Sequence, residues 1–265
     1  MNIKDNILKF YKLIVFTFKK KINLDTLNIN AVNLNELFNL FGSDKGSSVT
    51  NPYSKSNNNS KHNKIGHGYG DFYENHLKHL KNKKIKILEI GTWKGASVAA
   101  FFFYFNKAKI YCLDRNFKLK FKSKRLKFFS CNTSNFKDIT NLNKNLFKNK
   151  ENTFDLVIDD GSHIYSDILK NLIFFFKKVK SGGYYVIEDF NHYKFYNELN
   201  DKDNNSLEIQ DVFQHIVKKI KFESITINEN FQIYCFDNIS NITIHKGIQK
   251  DAFIAFIKKI INQSY

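Results

Sequence analysis

The stretch Leu88-Glu89-Ile90-Gly91-Thr92-Trp93-Lys94-Gly95 decides the reading of the fold. The apolar run over 85–90 has the length of a buried strand, and it stops at Gly91, which permits a tight turn. Gly95 then lets a helix over 96–106 begin close to a ligand. Working outward, 110–113 reads as a strand ending at Asp114, 126–130 as a third, and 156–158 as a fourth ending in Asp159-Asp160. A helix over 166–179 leads through Ser181-Gly182-Gly183 into a strand over 184–187 that ends at Glu188-Asp189. Strands alternating with helices predict an α/β protein, Rossmann-like, with a mostly parallel sheet and helices on both faces.

In such sheets ligands bind at the carboxyl ends of the strands, near the point where strand order reverses. Asp114 ends the second strand nineteen residues after Gly95, where a carboxylate can accept two hydrogen bonds from a ribose diol. The three-glycine GxGxxG pattern is missing, which argues against NAD, and no GxxxxGK[ST] phosphate loop occurs. Two glycines after a strand can also be plain turn chemistry; the placement of Asp114 is what points to a nucleoside.

Two acidic pairs end the fourth and fifth strands. If those strands are neighbours their backbones lie about 4.8 Å apart, so Asp160, Glu188 and Asp189 can converge at one edge. Carboxylates that close repel unless they are protonated or share a cation, and an all-oxygen set suits Mg2+ or another hard cation. The alternative is that each carboxylate simply caps the helix after it. His163, three residues beyond Asp160, can remove a proton from a substrate hydroxyl. His192, three residues beyond Asp189, competes for that role.

An acidic residue followed by G-x-x-x-G resembles the first motif of class I methyltransferases. The resemblance implies S-adenosylmethionine as methyl donor, with Glu89, Gly91 and Gly95 at its methionine part and Asp114 on its ribose. It also implies adenine near Cys131, Asn132 and Thr133. The strings Asp159-Asp160-Gly161-Ser162-His163 and Ile187-Glu188-Asp189 are more specific, and resemble the metal-dependent O-methyltransferases of macrolide sugars and relatives named cephalosporin hydroxylases. Gly42-Ser43-Asp44-Lys45-Gly46 and His67-Gly68-Tyr69 are similar to upstream motifs of that group, so the likeness runs from Phe41 to Asp189. It implies metal ligation by Asp160, Glu188 and Asp189, His163 as base, and Lys45 and Tyr69 near the cofactor. The expected reaction is methyl transfer to a hydroxyl of a sugar, polyol or natural-product glycoside.

The formal charge of +17 raises the rival of an RNA methyltransferase. Arginine occurs only at Arg115 and Arg125, and lysine and asparagine are abundant, as AT-rich codons supply. The basic residues are scattered without an aromatic–basic module, so the charge reads as a solvated surface. A second rival is a protein that binds S-adenosylmethionine without turnover. Cys112, Cys131 and Cys235 form no CxxC pair, which fits a reducing cytoplasm. The apolar stretch 13–18 is too short to span a bilayer.

Residues 1–65 read as a helical extension with a mobile loop, and 66–265 as the Rossmann-like domain. Within the extension, 6–20 is expected to be an amphipathic helix able to pack on the domain or on a second copy, and 47–64 a mobile loop or lid. A helix is expected over 69–80. After a polar stretch, the pattern predicts a helix over 209–220, β-structure at 225–227, 232–236 and 242–244, and a closing helix over 251–261.

Overall fold

The computed structural model describes residues 15–31, 33–50 and 63–261. Seven strands form one sheet: β1 (Lys86–Ile90), β2 (Lys109–Asp114), β3 (Leu126–Ser130), β4 (Phe154–Asp159), β5 (Val179–Glu188), β6 (Ile239–Lys246) and β7 (Phe253–Lys259). Their order across the sheet is β6-β7-β5-β4-β1-β2-β3. β1 pairs in parallel with both β2 and β4, and chain order reverses on either side of it. Only β7 runs antiparallel to its neighbours, β5 and β6.

Side-chain alternation divides the core in two. Leu88, Val157 and Tyr185 stand in register and face one way; Ile87, Leu156 and Tyr184 face the other. Helices α1 (Leu34–Phe41), α2 (Gly70–Leu77) and α3 (Ala96–Tyr104) cover the second face. Helices α4 (Phe136–Leu142), α5 (Tyr165–Phe175), α6 (Ile209–Val217) and α7 (Glu229–Asn238) cover the first. Helix α3 is apolar nearly all round because it lies between the sheet and α1, with Phe38 meeting Phe101 edge-on at 5.3 Å. Arg125 closes the end of α3 by donating to the carbonyls of Phe102, Phe105 and Ala108.

The structure corrects four expectations outside the central sheet motif. The closing segment is strand β7, not a helix: Phe253–Lys259 is buried along most of its length, so its near-continuous apolar run carries no usable period. Residues 232–236 lie in helix α7, which Asn228 caps by accepting from the Phe231 amide. Residues 225–227 form no strand. The leading segment is not helical throughout, since Ile22–Asn23 pairs in parallel with Phe121–Lys122. Of the expected helix over 6–20, residues 15–18 are helical and 6–14 lie outside the described residues. Most of the expected lid, 51–62, also lies outside them; its flanks Ser48–Thr50 and Asn63–Ile65 form an antiparallel ladder.

Gly91 has φ +83, and a Cβ there would lie 1.7 Å from the Asp160 carbonyl oxygen. Gly42 has φ +69 and open space around it. Gly91→Ala should therefore cost about 3 kcal/mol or more, and Gly42→Ala about 1 kcal/mol, in urea unfolding. Equal losses would show that the close approach of the β1 turn to β4 is not what requires glycine.

Candidate active site

A cavity of about 540 Å³ opens at the carboxyl ends of β1 to β4, where the strand order reverses. Gly91, Gly95, Asp114 and Asn132 all line it, together with Asp44, Trp93, Thr133 and Asp160. The turn after β1 is fixed by the Gly91 amide donating to Leu113 and the Gly95 amide donating to Thr92. Asp114 is held rigidly: Oδ2 accepts from the Trp93 amide at 2.7 Å and Oδ1 from the Asn116 amide at 2.6 Å. Each carboxylate oxygen keeps accepting capacity for a ligand hydroxyl. Gly95 has φ +87 and also makes room for Leu119, whose Cδ1 would lie 2.3 Å from an added Cβ.

Glu89, Lys45 and Tyr69 are absent from the cavity wall and lie behind it. Strand alternation sends Glu89 toward the α1–α3 face with Ile87, where it is fully buried with Ser97 as its hydroxyl neighbour. Burial pushes its carboxyl up to about 7, against the pull of Lys45. Lys45 is 1% exposed, and its Nζ lies 2.5 Å from Asp160 Oδ2, 2.6 Å from Glu188 Oε2 and 3.9 Å from Glu89 Oε1. Burial opposes its charge, but the three carboxylates outweigh burial and hold the ammonium well above the usual lysine range.

The acidic strand ends separate into distinct environments. Asp159 turns to the α5 face, accepting from Asn171 Nδ2 at 3.2 Å and Tyr185 OH at 2.9 Å. Asp160 gives Oδ2 to Lys45 and brings Oδ1 to 3.5 Å from His163 Nε2. Glu188 accepts from Lys45 and from the Tyr73 hydroxyl, and burial pushes it up to about 8. Asp189 accepts from the Tyr69 hydroxyl and lies 3.3 Å from His67 Nδ1 and 3.5 Å from His192 Nε2. Burial, then repulsion from Asp160 and Glu188, raises Asp189 well above the carboxylate range. For Asp160 burial acts the same way, but Lys45 wins and holds it low.

His163 and His192 share the cleft, with ring centroids 5.2 Å apart. Burial lowers the pKa of both, that of His192 to about 4, so both imidazoles are neutral near pH 7 and able to accept a proton. His163, Asp189 and His192 offer donor atoms within 4.8 Å of one another. Trp93, His163 and Asp189 all have positive φ, three of the seven such non-glycine residues among those described. Backbone strain of this kind persists only where surrounding contacts enforce it. The sequence reading missed Tyr73 and His67 as partners of the carboxylates. Tyr73 stands one helical turn after Tyr69, and that i, i+4 spacing was the available signal.

Residues 88–190 match the model of a methyltransferase domain. The chain is 28% identical over 130 residues to the mycinamicin VI 2''-O-methyltransferase of Micromonospora griseorubida, covering 46% of this chain and 31% of that protein. It is 30% identical over 130 residues to the demethylmacrocin O-methyltransferase of Streptomyces fradiae, covering 46% and 32%. The fold matches the methyltransferase of the mycinamycin biosynthetic pathway solved with Mg, SAH and mycinamycin VI. The TM-score is 0.63 at 21% identity, covering 89% of this chain and 56% of that one. The aligned region thus spans about a third of the curated relatives and about half of the solved chain. Residues 88–190 are thus similar to a methyltransferase domain, and the sheet around them has the class I methyltransferase fold.

Proposed function

We propose that the protein transfers a methyl group from S-adenosylmethionine to a hydroxyl of a sugar, polyol or natural-product glycoside, with the help of a divalent cation such as Mg2+. The observation that carries this reading is the shared wall of two spaces. Asp160 lines the nucleoside-sized cavity, and its Oδ1 meets His163 Nε2 at 3.5 Å in the adjoining cleft. The names of the relatives supply the acceptor class, since both act by O-methylation.

The residues present fit a hard cation. Glu89, Asp160 and Glu188 gather around one ammonium, Asp189 follows Glu188 directly in the chain, and the donors are mainly carboxylate oxygens. Buried nitrogens of His67 and His192 also lack hydrogen bonds. In this reading Asp160, Glu188 and Asp189 hold the ion, which supplies a Lewis acid that lowers the pKa of an acceptor hydroxyl. The chain's own groups do the rest. Asp114 and the Gly91 turn hold the donor, with Asn132 beside its base. The nucleoside end is thereby anchored, and the acceptor oxygen can lie in line with the methyl group. His163 takes the hydroxyl proton on Nε2. Lys45 and Tyr69 serve the cofactor indirectly, by fixing the carboxylates behind the cavity wall. Residues 66–265 would constitute the catalytic domain and 1–65 an N-terminal extension.

Among the described residues no helix is long and apolar enough to cross a membrane. We place the protein in the cytoplasm, a reading supported by three buried cysteines that form no disulfide among the described residues. Self-association through the N-terminal segment, where Phe18 is largely exposed, belongs to the same reading.

Asp114→Ala should weaken S-adenosylmethionine binding by about tenfold or more in calorimetry, as expected for losing hydrogen bonds to a charged acceptor. Unchanged affinity would remove Asp114 from the ribose. Excess chelator should abolish methyl transfer while S-adenosylmethionine still binds; full turnover in chelator would exclude the cation. His163→Ala should lower kcat by about 10²–10⁴-fold. Because the neutral imidazole is the active form and burial sets its pKa below 6.5, wild-type kcat should hold through neutrality and fall only on the acid side of that value. That acid limb should vanish in His163→Ala. Loss of the limb in His192→Ala instead would move the base to His192.

A further inference from the structure

We propose that Lys45 is a built-in counter-ion of the cation site, one that passes from Asp160 and Glu188 to Glu89 when a divalent cation binds. The inference rests on the reading of Asp160, Glu188 and Asp189 as ligands; it gives Lys45 a second role and assigns one to Glu89, which that reading leaves unused.

The oxygens that a cation needs are already taken. Lys45 bridges Asp160 Oδ2 and Glu188 Oε2, and the Tyr73 hydroxyl donates to Glu188 Oε1. Among the described residues, the group of three whose donor atoms all lie within 4.8 Å of one another is His163, Asp189 and His192, not the three carboxylates. An ammonium therefore stands between the first two. A dication at metal–oxygen distance from the same pair would face this ammonium within a few ångströms, in surroundings that screen poorly, so the two exclude each other.

Glu89 provides the second position. It is fully buried with only the Ser97 hydroxyl and the more distant Lys45 ammonium to offset its charge, a costly arrangement that a cation at closer range would relieve. Its Oε1 lies 3.9 Å from the Lys45 ammonium, just beyond hydrogen-bond reach. The Lys45 main chain is pinned, since its carbonyl accepts from the Tyr69 amide at 2.8 Å. The shift then needs only rotation of a flexible four-carbon stem. No charge is lost: the ammonium trades two carboxylates for one as the dication takes their place. The cost of this exchange sets how tightly the ion is held, which makes Lys45 and Glu89 positioning residues rather than catalytic ones.

The test is Mn2+ binding to the full chain at pH 8, counted by electron paramagnetic resonance without any turnover. Lys45→Met should bind Mn2+ about tenfold tighter or more, because the competing charge is gone, and Lys45→Arg should stay within about threefold of wild type. Glu89→Gln should bind Mn2+ about tenfold more weakly, because the departing ammonium loses its acceptor. The metal-free Lys45→Met protein should melt lower than wild type and regain the difference in Mn2+. If Lys45→Met does not fold, Glu89→Gln decides alone. Mn2+ affinity unchanged in Glu89→Gln, or no tighter in Lys45→Met, overturns the counter-ion exchange while leaving the cation reading intact. Absence of Mn2+ binding in wild type overturns both.

Discussion

Asp160 and Glu188, from neighbouring strands, share the buried ammonium of Lys45, and the parts of the molecule that build the site meet through that contact. β4 and β5 bring the carboxylates, and the segment after α1 brings the lysine. Without a cation, acidic strand ends at strand spacing would repel in a medium that screens poorly. A buried pair of this kind is a weak source of net stability, since desolvation offsets much of the attraction. Removing one partner is costly, about 3–5 kcal/mol, because the other is left buried and uncompensated. The contact therefore fixes geometry more than it adds stability.

Around it, charge and backbone strain reinforce one another. Tyr69 and Tyr73 project from successive turns of the α2 region onto Asp189 and Glu188, so packing of α2 on the sheet sets the positions of both carboxylates. His163 and Asp189 adopt positive φ at the ends of β4 and β5, and Trp93 does so after β1. These unfavourable conformations aim side chains across the carboxyl edge of the sheet, and the dense contacts behind the cavity hold them there.

The central part of this architecture was legible in the sequence because its signals are local. Gly91 and Gly95 report a tight turn against β4, and Asp114 reports a strand end beside a cavity. The alternation of strand and helix gives the parallel sheet. What was hidden depends on distant contacts. The Gly42–Gly46 motif singled out Lys45 among 42 cationic residues, but not its burial; only the fold places it against Asp160 and Glu188. Phe253–Lys259 is covered on both faces, so its composition does not separate strand from helix. The 232–236 segment shows the reverse error: β-like residues lie on a helix set by the Asn228 cap.

The most direct measurement is a crystal structure of the protein with SAH and Mn2+, with the ion located by its anomalous scattering. The account predicts SAH in the cavity between the Gly91 turn and Asp114, and an anomalous peak bounded by Asp160, Glu188 and Asp189, with the Lys45 ammonium turned to Glu89. SAH bound elsewhere, or a Mn2+ peak away from those carboxylates with Lys45 still bridging Asp160 and Glu188, would contradict it.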